Sequence, residues 1–361
     1  MNHDRPVALI GDGPLLDDLL RLAAAAGCDL ERVPDLASLR GRWARAPLIL
    51  LDTAGANAVG GCGLGRRKGV HLVSGVEPET SVWERAVAVG AEGVLVLPAA
   101  ESRLVDILAD TVDRPAGSAG RVLAVVGGRG GAGASVLSAA VAVTAMRNKQ
   151  NALLVDGDAL GGGVDLVLGA EAEDGLRWPQ LRLSGGRVSA SSLRAALPGR
   201  VQGECRLTVL SCDRDGPGPE PEAMAAVLDS GRRAGELVVC DLPRDLPESS
   251  CVALERADLV VLVIPAEVRA CAAARRIATR VRECGATPRA LVRGPAPGDL
   301  RPVDVASASG LPLLTSMRSE PGLAAALDRG EFRPKARGPL AAAAKTVLDA
   351  LYERAPGEGE S

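Results

Sequence analysis

Short apolar runs alternate with longer stretches of helical character along most of the chain. Val7–Gly11 (VALIG) precedes LLDDLLRLAAAAG, a helix candidate rich in leucine and alanine. Leu48–Asp52 (LILLD), Val70–Gly75 (VHLVSG) and Gly93–Pro98 (GVLVLP) are further strand candidates, with helical ETSVWERAVAVGA before the last. This β/α alternation predicts a parallel sheet covered on both faces. Asp113–Arg121 (DRPAGSAGR) is a Pro/Gly/Ser-rich linker. Beyond it the alternation repeats on a larger scale, in RVLAVVG, NALLVD, RLTVLSCD, ELVVCDLP, ADLVVLVIP, PRALVRG and LPLLTSM. Near-continuous Val/Leu/Ile runs are what strands buried on both faces need. Alanine-rich helical segments such as EVRACAAARRIATRVRECG lie between most of them. The expected boundaries are 1–112 for a first domain, 113–121 for the linker, 122–354 for a second domain and 355–361 (APGEGES) for a disordered tail.

Composition narrows the chemistry. A chain of 361 residues, 47% hydrophobic and 24% charged, is that of a soluble globular protein with room for two domains. A formal net charge of −3, with three Trp, one Tyr and one Phe, offers neither bulk attraction to nucleic acid nor a platform for stacking bases. Direct nucleic-acid binding is not expected. Two histidines, His3 and His71, cannot build a histidine triad or a multi-histidine metal site. His71, in GVHLVSG, reads as a structural residue on a buried strand. Eight cysteines without a C-x-x-C pair suit reduced thiols in a cytosolic protein. The N-terminus lacks a secretory signal pattern. The apolar stretch Val122–Met146 has the length of a membrane span, but its glycines and Arg129 fit a strand–loop–helix better. A cytoplasmic location is expected.

Val122–Ser135 (VLAVVGGRGGAGAS) carries the main chemical signal. Gly128, Gly133 and Ser135 fall as in the phosphate loop G-x-x-x-x-G-K-[ST], while the lysine position holds Ala134. Gly128, Gly130 and Gly133 also spell G-x-G-x-x-G, with Asp156 ending the next strand where a ribose-binding acid would lie. Against hydride chemistry, the second domain has no histidine, and the only tyrosine is Tyr352. Asp156 and Asp158 end the strand LLVD and open GDALGGG, where carboxylates can hold a metal-bound water or order an attacking one. Asp241 ends the apolar run LVVCD in the manner of an acid that supports Mg²⁺ through water. Singly each is also a common strand-end cap; their order is what gives them weight.

In that order, the second domain resembles the MinD/ParA group of deviant-Walker P-loop ATPases, and within it CpaE-type proteins. The family motif K-G-G-x-G-K-[ST] stands here as Arg129-Gly130-Gly131-Ala132-Gly133-Ala134-Ser135. DGDALGGGVDLVLG is similar to its switch I, VVCDLP to its Walker B, and RADLVVLVIPAEV and LPLLTSM to later strands, so the likeness runs from Arg121 to about Leu351. The first domain resembles a response-regulator receiver, and the combination is most similar to the septum site-determining (Ssd-type), CpaE-like group.

The resemblance implies an α/β chain: a receiver-like (flavodoxin-like) domain followed by a P-loop NTPase-like doubly wound parallel sheet. It implies ATP and Mg²⁺ as cofactors, with nucleotide at Gly128, Arg129, Gly130, Gly131, Gly133, Ala134 and Ser135. Arg293 stands where the family has an adenine-reading asparagine. Mg²⁺ would fall to Ser135, Asp156 and Asp241, and the catalytic carboxylate to Asp158. Implied partners are cell-division or secretion and pilus proteins and a second copy of the chain. Recruitment to septum or pole, and membrane association only through a partner, follow from the same likeness. GPLAAAAKTVLDALYERA reads as a packed terminal helix, not an interfacial anchor.

The departures are specific. Both family lysines are replaced, by Ala134 and Arg129. A charge-assisted hydrogen bond is worth about 1.5–3 kcal/mol, so losing the loop lysine weakens ATP binding about ten- to a hundredfold and leaves hydrolysis impaired or absent. Arg129 keeps a charge that can bind phosphate bidentately. In the first domain Asp52 stands at the receiver's phospho-acceptor position, Asp12 where its metal-binding acids begin, and Ser74 at the switch hydroxyl, but Leu97 replaces the lysine before proline. A pseudo-receiver used for docking is expected. The basic cluster GLGRRKG (63–69) reads as a solvated loop. A localisation factor for a Tad/Flp pilus or secretion system, and an active ATPase, are the alternative readings.

Overall fold

The computed structural model describes residues 5–113, 120–181 and 190–353. It divides into two compact units, Met1–Pro115 and Ala116–Ser361. Most of the expected linker, the 355–361 tail and His3 lie outside the described residues.

In the first unit the chain runs β1 (Val7–Leu9), α1 (Pro14–Ala25), β2 (Glu31–Arg32), α2 (Leu36–Arg40), β3 (Ile49–Leu51), α3 (Thr53–Gly60), β4 (Val70–Ser74), α4 (Thr80–Val89), β5 (Gly93–Val96) and α5 (Glu101–Asp113). The sheet is wholly parallel, in the order β2-β1-β3-β4-β5. Alternate side chains leave a strand on opposite faces. Val7, Leu9, Ile49 and Leu51 therefore pack under the α2, α3 and α4 side, and Ala8, Leu48, Leu50 and Leu95 under α1 and α5. The order reverses between β1 and β3, so their carboxyl ends form the crevice of this fold. Strand β2 has no apolar run to announce it, only Glu31 and Arg32.

The second unit continues with β6 (Arg121–Gly127), α6 (Ala134–Arg147), β7 (Ala152–Asp156), α7 (Val164–Leu168), α8 (Ala190–Ala196), β8 (Gly199–Gln202), β9 (Cys205–Leu210) and α9 (Pro221–Arg233). Then follow β10 (Leu237–Leu242), α10 (Glu248–Arg256), β11 (Leu259–Pro265), α11 (Val268–Glu283), β12 (Pro288–Arg293), α12 (Pro302–Ala308), β13 (Leu313–Met317), α13 (Leu323–Asp328) and α14 (Pro339–Tyr352). Eight strands lie in the order β13-β12-β11-β6-β10-β7-β9-β8, parallel except for β8 on β9. The seven apolar runs of the sequence all become strands. The eighth, GRVQ, is a polar edge strand that hydrophobic pattern does not reveal. Helices cover both faces: α6 and α14 on one, with Leu123, Val125, Leu154 and Val261 beneath them, and α9 to α12 on the other.

Helix α14 is a packed element, as the sequence suggested. Leu340, Ala344, Val347 and Leu351 are buried, and the helix lies against α6 and β13. No helix among the described residues is long and apolar enough to cross a membrane. The cysteines depart from expectation. Cys251 on α10 and Cys284 just after α11 form a disulfide, with Cα atoms 5.1 Å apart. They are 33 residues apart in sequence, and only the packing of both helices on one sheet face brings them together. The other six cysteines are free thiols.

Candidate functional site

β6 runs into the glycine loop and α6 leaves it, at the centre of the larger sheet between β11 and β10. Glycine is required here for two reasons. Gly131 (φ 70°) and Gly133 (φ 98°) lie in the left-handed region that side chains disfavour. Gly128 is pressed against β11, its N–H donating to the Val263 carbonyl at 2.8 Å. A methyl group built on Gly128 would lie 3.1 Å from the Ala274 Cβ. No side chain caps α6, so its first N–H groups face the loop, the arrangement that favours an anion.

A cavity of about 430 Å³ opens over this loop, and Ser135, Asp158, Asp241, Arg244 and Arg293 line it with the glycines. Asp241, at the end of β10, is buried and accepts from the Ser138 hydroxyl at 3.3 Å, with the Ser135 hydroxyl as a second partner. Burial above all, then the charge of Asp156, pushes its pKa up to about 7. Asp158 turns into the cavity, its Oδ1 accepting the Leu160 N–H at 3.1 Å.

Asp156 has a different place from the one expected of a magnesium or ribose ligand. It is 1% exposed. Its Oδ1 accepts the Asp158 N–H (3.0 Å), and its Oδ2 accepts from Val164 N–H (3.2 Å), Ser211 Oγ (3.1 Å) and Cys212 N–H (3.3 Å). The carboxylate is an internal clasp that holds the 157–164 segment to the end of β9. A strand-end aspartate two residues before Asp158 looks the same in sequence whether it faces ligand or core.

Three arginines stand around the loop. Arg129 is folded onto it, pairing with Glu267 at 2.7 Å and donating to the Gly130 carbonyl at 3.1 Å. Arg293, the last residue of β12, reaches back over the loop. A methyl group built on Gly133 would meet its Nη1 at 3.3 Å. Burial first, then the charge of Arg129, lowers its pKa from the usual arginine value. It also borders a second cavity of about 220 Å³, lined by Met317, Leu323, Ala324 and Leu340. Arg244, in the turn after β10, belongs to no motif. Its nearest sequence signal is a basic residue three places after the strand-end Asp241, on the carboxyl edge where ligands of such sheets lie.

The acidic crevice of the first unit is arranged otherwise. Asp52 is the N-cap of α3, its Oδ1 accepting Gly55 N–H at 2.6 Å and its Oδ2 accepting Gly11 N–H at 2.8 Å. Asp12 pairs with Arg32 at 2.8 Å, Ser74 Oγ donates to the Val76 carbonyl at 2.6 Å, and Leu97 is buried. The Asp52 carboxylate is thus held against Gly11, the residue before Asp12, and Leu97 brings no cation to the crevice. The basic cluster beside this unit's core is more ordered than a solvated loop. Arg66 donates to the Val87 carbonyl at 2.9 Å and Arg67 to that of Trp43. His71 is buried on β4, with Nε2 3.6 Å from Glu92 Oε2, and burial lowers its pKa.

Solved structures share the fold of the second unit. MinD from Aquifex aeolicus matches with a TM-score of 0.51 at 20% identity, over 65% of this chain and 98% of its own. A ParA family ATPase from Chlorobium tepidum matches at 0.51 and 15% identity, over 64% and 98%. The septum site-determining protein MinD from Pyrococcus horikoshii, complexed with Mg-ADP, matches at 0.50 and 17%, over 64% and 96%. The chain thus joins a CheY-like domain to a P-loop NTPase-like unit of the MinD/ParA fold.

Its relatives are narrower. Residues 9–120 match the family described as Rv3660c-like, CheY-like N-terminal domain. Over 352 residues the chain is 44% identical to the uncharacterized protein Rv3660c of Mycobacterium tuberculosis H37Rv, covering 97% of this chain and 98% of that one. The protein belongs to this Rv3660c-like family.

Proposed function

We propose that this protein is a cell-division regulator of the septum site-determining, CpaE-like kind, acting through protein contacts that a weakly held nucleotide adjusts. The observation that carries the reading is the cavity over the glycine loop, where Ser135, Asp158 and Asp241 meet uncapped helix N–H groups and the charges of Arg244 and Arg293. Those residues fit a Mg²⁺–nucleotide. Loop N–H groups would hold the phosphates, and Ser135 and Asp241 the cation. Bound there, the nucleotide supplies the negative charge that such a cationic loop lacks, and so biases conformation or self-association. With Ala134 in the lysine position, transition-state charge is poorly met, so turnover is slow or nil. Asp158 in the cavity favours a second reading, slow ATP hydrolysis. That MinD proteins of cell division and septum-site determination share the fold of the second unit supports the cellular side.

Titration calorimetry of the full chain with Mg²⁺–ATP tests the reading. Micromolar to low-millimolar binding that Ser135→Ala weakens supports it. No binding at millimolar ATP by a folded chain leaves a scaffold without nucleotide. A fluorescent fusion that gathers at the pole instead of the septum would favour a pilus or secretion role.

A further inference from the structure

The geometry points to Arg244 and Arg293 as the phosphate-neutralising groups of this loop, supplying from two other strands the charge that Ala134 does not. This rests on the nucleotide reading above and adds which residues grip the ligand.

Arg129 is already engaged by Glu267. Arg244, which is exposed, and Arg293 make no hydrogen bond or ion pair with any described residue; the Arg293 Nε is buried without a partner, as the Arg129 Nε is, and Arg293 also feels the charge of Glu267. Guanidinium groups stay charged throughout the ordinary pH range, and the repulsion that Arg129 exerts on the half-buried Arg293 is one that a bound anion would relieve. Both face one cavity. They approach the loop at different glycines. A methyl group built on Gly130 would lie 3.8 Å from Arg244 Nη2, and one on Gly133 3.3 Å from Arg293 Nη1. Two forks flanking a crown of glycine N–H groups suit a linear chain of phosphates, since each fork can bind two oxygens at once. The second cavity lies on the far side of Arg293, with Met317, Leu323 and Leu340 in its wall. Arg318, Ser319 and Glu320 line it as well, so a heteroaromatic base with polar edges, carried beyond a chain of phosphates, can use both cavities, and the ligand class is a nucleoside di- or triphosphate. Inorganic tripolyphosphate shares only the first half of that chemistry.

The test is calorimetry on the full chain with Mg²⁺–ATP and with tripolyphosphate, for the wild type, Arg244→Gln, Arg293→Gln and the double variant. Each single variant should bind ATP about tenfold more weakly, and the double variant beyond detection. Adding Ala134→Lys to Arg293→Gln should restore most of the loss. That rescue also excludes misfolding, which a lysine elsewhere would not repair. Tighter binding of ATP than of tripolyphosphate supports the nucleoside assignment, and equal affinity overturns that part. If the wild type binds ATP and the arginine variants bind it equally well, the assignment of the arginines is wrong while the nucleotide reading stands. If the wild type binds neither ligand, both fall.

Discussion

Each unit of this protein carries an acidic crevice at the carboxyl ends of a parallel sheet, and each lacks a lysine that the resembling family has there. Leu97 stands in one place and Ala134 in the other. The consequences differ. Around Asp52 the neighbours have turned to structural work: both of its oxygens hold backbone N–H groups, and Asp12 is neutralised by Arg32. Around the glycine loop the balance is left open, with Arg244 and Arg293 lining the cavity without an ion pair among the described residues and a buried Asp241 that resists ionisation. A missing motif residue is therefore a poor guide to a missing site. What decides is whether the remaining charges have found partners inside the protein.

Substitutions at four positions would break or sharpen this contrast. The largest effect belongs to Asp156→Ala, which strands the N–H groups of Asp158, Val164 and Cys212 and the Ser211 hydroxyl. Urea denaturation should show a loss of at least about 3 kcal/mol. Unchanged stability would return Asp156 to the ligand side of the comparison.

Asp241→Asn should act in the opposite direction. The folded pKa of Asp241 is raised to about 7, above the unfolded value near 4. Its ionised form therefore costs stability progressively as pH rises from about 4 through 7. The variant should gain roughly 1–3 kcal/mol at pH 8 and nothing at pH 4, while losing any Mg²⁺ dependence of ligand binding. A variant no more stable than wild type at pH 8 would mean that this carboxylate is as settled as Asp52.

Asp52→Ala removes a cap and should cost the first unit about 1 kcal/mol, whereas Asp52→Asn, which still accepts hydrogen bonds, should cost little. Neither should alter the protein's response to a small-molecule phosphodonor. Label incorporated by the wild type and abolished in Asp52→Asn would show that the crevice is still a receiver site.

The smallest effect concerns His71. Its folded pKa lies below the ordinary value, so its contribution is whole above about pH 6.5 and declines as pH falls through that value. Thermal melts at pH 7.5 and 5.0 should differ less for His71→Gln than for wild type, by about 1–2 °C.

Much of the fold was legible because buried parallel strands must be apolar throughout. All seven such runs of the second unit are strands. The elements that escaped notice, Glu31–Arg32 and Gly199–Gln202, are polar and stand at sheet edges. The loop, Ser135, Asp158, Asp241 and Arg293 could be picked out because they end strands or follow a glycine pattern. Arg244 could not, since nothing local distinguishes one arginine in a turn from another. Asp156 could be found but not oriented: the strand end is visible in sequence, whereas the four donors that claim it come from three separate stretches of chain. The Cys251–Cys284 pair escaped for a similar reason, its nearness being created wholly by tertiary packing.

Helix α6 has ten consecutive buried residues, from Leu137 to Met146, and Ala139, Ala140, Ala142 and Ala145 have no exposed surface at all. Descent with modification has little to work with along such a helix, because nearly any larger or more polar replacement meets a neighbour. Its first residue is different. Ala134 borders the cavity and packs only partly against the core, so a lineage could exchange the residue there with less disturbance than anywhere further along the helix. The same packing that keeps the architecture constant thus leaves its chemistry open to inherited change at the mouth of the loop.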